Sequence, residues 1–321
     1  EVFELIRLHL DEPKGSPPKT IVCSLLSLAI APRVSPRHDS VAFLRVREGD
    51  EEDSATLCVT PIDGGRILEA TRGVVSIGFR WMPDGRTLIF TKPLSGEGDS
   101  IQSIQRVTVM EESGELMKPS FEIQPNGSQL KMEGRDRISD PIPLALAVLP
   151  ERCFTMGTAL QALPDGRILF ASPPVTLPAL PGPELVSQLH LISADGKSLS
   201  TVPTIPGDLP ADLQWFLVSP DGKHVAVSES ATDAVAVVEI STGKTEIISS
   251  SNSGWRSETI PAWKSATELT YVAFDPVAKT PRWMQWSAKD GTQSISKNWP
   301  ANATANWMKA PKTESPTDTK K

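Results

Sequence analysis

Tyrosine occurs once in this chain, at Tyr271, while histidine occurs four times and cysteine three times in 321 residues. Cys23, Cys58 and Cys153 stand far apart. No pair has the spacing of a zinc ligand set, and an odd number cannot complete a disulfide framework. One bridge plus a free thiol stays open; buried thiols packing as small apolar residues is the plainer reading. His9, His38, His190 and His224 fall in no His-x-x-x-His or Glu-flanked metal motif. A Gly-x-Ser-x-Gly elbow is missing, which removes the serine hydrolases built on that turn. No glycine-rich phosphate loop follows a strand. No catalytic residue and no resident cofactor is therefore assigned. Lysine and arginine never run longer than the terminal Lys320-Lys321, and 39 acidic against 32 basic residues leave a net charge of −7. Nucleic acid is not expected as a partner for such a surface. No stretch reaches the ~18 apolar residues of a membrane-spanning helix. The most apolar segment, 21–31, is too short, so any membrane association would be peripheral. The chain begins at Glu1, as a processed secreted protein or a part of a longer one would.

What the chain has in quantity is backbone punctuation: 29 prolines and 21 glycines, with eight tryptophans. That composition suits many short strands and tight turns. A repeat organises them. Trp81-Met82-Pro83-Asp84-Gly85-Arg86-Thr87-Leu88-Ile89-Phe90 returns as Leu163-Pro164-Asp165-Gly166-Arg167-Ile168-Leu169-Phe170. It returns again as Ser219-Pro220-Asp221-Gly222-Lys223-His224-Val225-Ala226-Val227. Diverged copies run from Ser35 to Phe43 and from Trp263 to Tyr271. Proline presets φ, aspartate accepts hydrogen bonds from the turn backbone, and glycine supplies positive φ. The alternating apolar run that follows is a strand. Pro36 to Pro83 spans 47 residues, Pro164 to Pro220 spans 56, and Pro220 to Ser265 spans 45. These bracket the ~40–45 residues of a four-stranded propeller blade. Second hairpins follow around Asp63-Gly64, Asp195-Gly196, Thr242-Gly243 and Asp290-Gly291, with a looser one at Ile104–Met117.

These residues resemble the TolB-like, WD-repeat-like propellers, whose blades carry a Ser-Pro-Asp-Gly-Lys turn followed by a strand. The match covers about 33–295 and is closest from Ser219 to Val227. The resemblance implies an all-β propeller of four-stranded antiparallel blades. Five full blades are recognisable, and 3–10 with 20–26 supply a partial N-terminal one. Six blades are expected, with five as the alternative. A single domain over 1–305 is followed by a disordered tail at 306–321. Pro83 to Pro164 spans 81 residues, so an insertion is placed at 124–149. The resemblance also implies a periplasmic or extracellular location.

Blade topology sorts the loops onto two faces. The hairpin face carries Arg66, Arg86, Arg167, Lys197, Lys223, Lys244 and Lys289. The opposite face carries Glu48, Asp50, Glu51, Glu52, Asp53, Glu97, Asp99, Glu229 and Asp233. These acids form a candidate rim for a cationic protein partner, or for calcium as the alternative cofactor; charged loops that merely keep a sheet protein soluble are the plainer reading. Within the insertion, Pro141, Ile142, Leu144 and Leu146 form a candidate docking segment, or a cover for a blade edge. Trp81, Trp215 and Trp263 lie on or near first strands, as packing between blades or as an aromatic platform. His38 and His224 fall at corresponding hairpin positions, which repeat ancestry explains, and His190 lies in a third strand. The reading is a non-catalytic interaction or scaffold propeller, an accessory subunit of an extracytoplasmic or membrane-associated assembly. The alternative is a six-bladed hydrolase or lactonase with a metal at the channel mouth.

Overall fold

A computed structural model describes residues 3–8, 19–25, 28–46, 55–64, 67–74, 78–93, 101–109, 120–123, 129–132, 138–149, 159–176, 185–204, 213–229, 235–249, 256–257, 261–275, 280–289 and 293–295. Every regular element among them is a strand. β1 (Phe3–Leu8) and β2 (Lys19–Leu25) form an antiparallel ribbon that lies beside blade one. Blade one is β3 (Leu28–Val34), β4 (Ser40–Val46), β5 (Ala55–Pro61) and β6 (Leu68–Val74), hydrogen-bonded in that order. Blade two begins with β7 (Arg80–Trp81), β8 (Thr87–Pro93) and β9 (Ile101–Thr108). A separate hairpin, β10 (Ser120–Ile123) with β11 (Gln129–Met132), follows before the outer strand β12 (Ile142–Val148) closes the sheet. Blade three is β13 (Leu160–Ala162), β14 (Ile168–Thr176), β15 (Leu185–Ile192) and β16 (Leu199–Thr201). Blade four is β17 (Leu213–Val218), β18 (His224–Glu229), β19 (Val235–Glu239) and β20 (Thr245–Ser249). Blade five splits its first strand into β21 (Arg256–Ser257) and β22 (Ala262–Ser265), both paired with β23 (Glu268–Asp275). β24 (Thr280–Ser287) and β25 (Gln293–Ile295) complete it.

One sequence expectation needs correction. Residues 142–148 belong to the blade: Ile142 pairs with Arg106 and Val148 with Ile101. The fourth strand of blade two is therefore not the looser pattern ending at Met117, and the interposed segment precedes Ile142 instead of running to Leu149. Pro141 and Pro143 give this stretch the look of a loop. Proline cannot donate to a ladder, but an outermost strand has one edge with no ladder to feed. The predicted tail at 306–321 lies outside the described residues.

The turns explain the strand pairing. Asp84 Oδ1 accepts the backbone N–H groups of Arg86 at 2.9 Å and Thr87 at 2.8 Å. Asp165, Asp195 and Asp221 each accept from the residue two positions on, at 3.1 Å. The glycine that follows each aspartate closes the turn in the left-handed region, as at Gly222 with φ +71°. Gly222 has a second duty. A Cβ there would sit 2.7 Å from Cδ of Pro164 in the preceding blade's turn, so the bare backbone lets neighbouring turns abut. Blade one departs from this chemistry. His38 stands where the other turns carry glycine, donates its N–H to the Ser35 carbonyl at 2.9 Å, and takes φ +58°. His224 instead opens β18, so the two histidines are not equivalent.

The core lies in the seams between sheets. One apolar cluster joins blades two, three and four through Ile89, Leu160, Phe170, Phe216 and Val227. A second joins blades one and two through Leu57, Phe79, Trp81 and Phe90. A third joins blades four and five through Trp215, Tyr271 and Trp286. Two seams share a directional bond. The Trp81 indole donates to the Arg33 carbonyl at 2.9 Å, and the Trp263 indole to the Leu217 carbonyl at 3.0 Å. Trp81 stands two residues before Pro83, and Arg33 three before Pro36; Trp263 and Leu217 hold the same places relative to Ser265 and Pro220. Tyr271, the lone tyrosine, reaches from β23 to the Ile248 carbonyl of blade four at 3.0 Å.

These observations fix two expectations. Replacing Trp81 or Trp263 by Phe should cost roughly 1–2 kcal/mol each, through the lost hydrogen bond and the smaller ring. The seams are far apart, so the double variant should be additive in urea denaturation. Replacing His38 by Gly should stabilise the protein by roughly 0.5–1 kcal/mol. It removes the ~1–2 kcal/mol cost of a side chain in the left-handed region, less the entropy a glycine adds to the unfolded chain.

Candidate functional site

A cleft of about 300 Å³ opens on the hairpin face between blades two and three. Blade two supplies Met82, Pro83, Asp84 and Thr87 from its first turn, Ile89 from β8, Arg106 from β9 and Leu144 from β12. Blade three supplies its first turn, Pro164 to Gly166, with Ile168, and its second turn through Ser193, Ala194 and Gly196. The turn repeat itself thus builds the walls. Glycine again sets the clearance, since a Cβ on Gly196 would lie 2.7 Å from Cδ2 of Leu144 and 3.8 Å from Nη1 of Arg106.

The charges in this cleft are not equivalent. Burial tends to raise the Asp84 carboxyl, but the Thr87 backbone and hydroxyl and the Arg86 N–H outweigh it and hold it below its ordinary value. Asp165 accepts both the Arg167 backbone N–H and, at 2.7 Å, the Arg167 guanidinium. Both acids are engaged by their own turns. Arg106 is half-buried, and its side chain has no hydrogen bond or ion pair among the described residues. A partly desolvated guanidinium presented in this way favours an incoming anion.

Two more arginines mark the inner strands. Arg33 on β3 holds its guanidinium 5.5 Å from the Phe79 ring centroid. Arg80 on β7 donates to the Phe79 carbonyl at 3.0 Å. Burial, and then the Arg33 charge, push the Arg80 pKa down to about 9. Blade one also gathers Glu69 between Arg45 and Arg72, and hydrogen bonds from both arginines hold its carboxyl below the usual range.

Most residues of the acidic rim, Glu48, Asp50, Glu51, Glu52, Asp53, Glu97, Asp99 and Asp233, lie outside the described residues. Glu229 is the last residue of β18. Arg66 also lies outside, while Arg86, Arg167, Lys197, Lys223, Lys244 and Lys289 follow the turns where the repeat places them. Of the docking segment, Ile142 and Leu146 are 46% and 61% exposed, Pro141 is exposed, and Leu144 packs inward. The tryptophans pack between blades, Trp81 and Trp215 being buried. His190 stacks on Phe170 at 5.1 Å between centroids, with Ser172 Oγ 3.1 Å from Nε2 and Thr201 Oγ1 3.3 Å from Nδ1. Burial lowers its pKa, which favours a neutral ring held by two hydroxyls. Cys58 is fully buried in β5. Among the described residues no three His, Cys, Asp or Glu side chains converge as a metal site, and no helix is long and apolar enough to cross a membrane. The sequence reading missed Arg33, Arg80 and Arg106. They sit singly in strand patterns, and only the pairing of strands and seams brings Arg33 and Arg80 to Phe79 and Arg106 to the cleft.

Comparison with solved structures bears on the fold. An oligogalacturonate lyase from Vibrio parahaemolyticus superposes with a TM-score of 0.55 at 11% identity, over 92% of this chain and 72% of that one. The chain has the β-propeller fold. A putative TolB from Agrobacterium tumefaciens gives a TM-score of 0.49 at 12% identity, over 86% of this chain and 83% of that one. A chain of a nidogen/laminin complex gives 0.46 at 10%, over 90% and 88%. No protein-family model matches the sequence, and no curated protein does. At such identities the likeness speaks for the propeller alone, and a propeller by itself assigns no activity.

The turn carboxylates give the propeller a defined acid response. Asp84, Asp195 and Asp221 all sit below their ordinary pKa. Each therefore contributes stability that is present above the unfolded value of about 3.9 and lost as pH falls through the lowered native value. The Asp84→Asn variant keeps an acceptor oxygen but no charge. Its unfolding free energy should fall less steeply than wild type between about pH 5 and pH 2, as read by urea titration at each pH.

Proposed function

We propose that this propeller is a non-catalytic interaction module whose protein partner seats over the seam of blades two and three. The observation that carries this reading is the outer strand β12, which presents Ile142 and Leu146 at 46% and 61% exposure beside the cleft that holds Arg106. Large apolar side chains on an outermost strand are a liability for a protein that stays alone, and proteins usually place charge or proline there. Here proline is kept at 141 and 143, while the exposed apolar residues are kept as well. An apolar rim next to a cationic cleft has the make-up of a docking surface: apolar contacts for affinity and one charge for register. Blade packing supplies a rigid frame, so little ordering is needed on binding. The reading places the protein outside the cytoplasm, as an accessory subunit of a larger assembly, and leaves the acidic rim as a second partner-facing surface.

Site-specific photo-cross-linking in the source organism tests it. A benzophenone amino acid at Leu146 should give discrete cross-linked products with a defined protein. The same group at Ile247, which is 64% exposed on the outer strand of blade four, should not. Equal products at both positions, or none at Leu146, would overturn the assignment.

A further inference from the structure

We infer that the cleft between blades two and three receives an extended acidic peptide segment of the partner, one carboxylate pairing with Arg106 and a neighbouring apolar side chain resting on Met82, Leu144 and Pro164. This rests on the docking reading above and adds the chemistry of the occupant.

Three observations converge on it. First, the charge balance of the cleft is asymmetric once the internal bonds are counted. Asp84 is turned to Arg86 and Thr87, and Asp165 is closed by Arg167. Arg106 keeps no ion partner among the described residues. Lys197 directly follows Gly196 on the cleft wall and is exposed. The charge left to meet an occupant is positive, although the chain as a whole carries −7.

Second, the cleft sets apolar surface from Met82, Leu144 and Pro164 beside the Arg106 charge. An inorganic anion would use Arg106 and leave Met82, Leu144 and Pro164 wet. A purely apolar peptide would cover a half-buried guanidinium without compensation, which is costly. A segment with an acidic residue next to an aliphatic one satisfies both surfaces. The guanidinium fork suits a carboxylate in two-point contact.

Third, the size and shape favour a peptide. About 300 Å³ stands at the lower end of the range for enclosed ligand sites, enough for a few side chains but not for a folded element. The cleft is bounded by turns and by the outer strand β12. An extended chain can enter along that edge and insert alternate side chains, which is the geometry of strand-like peptide recognition.

The test uses the full chain and two fluorescein-labelled, end-blocked octapeptides. One has the sequence Gly-Ser-Leu-Glu-Leu-Glu-Ser-Gly; the other carries Gln for both Glu. Fluorescence anisotropy should show the Glu peptide binding at least about tenfold tighter, and the difference should shrink as salt is raised. Arg106→Gln should remove the discrimination. Ala194→Trp, at an exposed turn position on the cleft wall, should block the Glu peptide without altering the melting temperature. Arg106→Lys should retain part of the preference. Equal affinity for the two peptides in the wild type overturns the inference, as does discrimination that survives Arg106→Gln. If Leu146 cross-links form while the peptides bind equally, the acidic specificity fails and the docking reading stands. If neither cross-links nor peptide binding is seen, both fall.

Discussion

The indole hydrogen bond from one blade to the inner strand of the blade before it is the contact on which this propeller depends. Antiparallel pairing holds each sheet together, but nothing in strand pairing fixes one sheet against the next. Apolar burial favours contact without choosing its register. The bond from Trp81 to the Arg33 carbonyl, repeated from Trp263 to the Leu217 carbonyl, is directional and sits at the same place in the repeat. At these two seams it ties the first strand of the following blade to the first strand of its predecessor. The Tyr271 bond to the Ile248 carbonyl reinforces the seam of blades four and five.

Seams that lack the tryptophan are organised differently. At the position of Trp81 and Trp263, blade three has Ala162 and blade four has Val218. Both pack against a shared apolar cluster, and turn glycines let the backbones approach, as Gly222 does with Pro164. Such contacts leave more freedom in how the sheets meet at the surface. The cleft occurs at one of these two seams, and its walls are turn residues. The same repeat therefore builds a closed seam where it carries an indole and an open one where it carries alanine.

Much of the architecture was legible because it rests on short-range chemistry. Pro-Asp-Gly encodes the hairpin through φ restriction, a side-chain acceptor and a left-handed residue, and all three act within four residues. Blade one was legible even without glycine, because Ser35 and the alternation after it survive, and His38 bears the strained conformation. The outer strand of blade two was not. Its pairing to β9 spans more than thirty residues, and its prolines, tolerated only because the strand is outermost, resemble a loop. Of the candidate docking segment, Ile142 and Leu146 are exposed, while Leu144 is a wall of the cleft. Arg106 was invisible for a different reason. One arginine in an amphipathic strand is ordinary, and its meaning comes from the facing turn's acids being bonded within their own turns, a property of the seam and not of any segment.

That bonding follows from the repeat. Each Pro-Asp-Gly turn brings an aspartate to the hairpin face, and each such aspartate accepts a backbone N–H of its own turn. The basic residue two positions later, Arg86, Arg167, Lys197 or Lys223, remains on the same face. A fold whose net charge is negative thus acquires a hairpin face where acidic oxygens are internally engaged and cations are presented outward. The character of the hairpin face is in this way a by-product of turn chemistry, fixed before any partner is considered. A surface produced so cheaply needs only one open seam, with apolar walls and a cation lacking a partner, to become selective for an acidic segment.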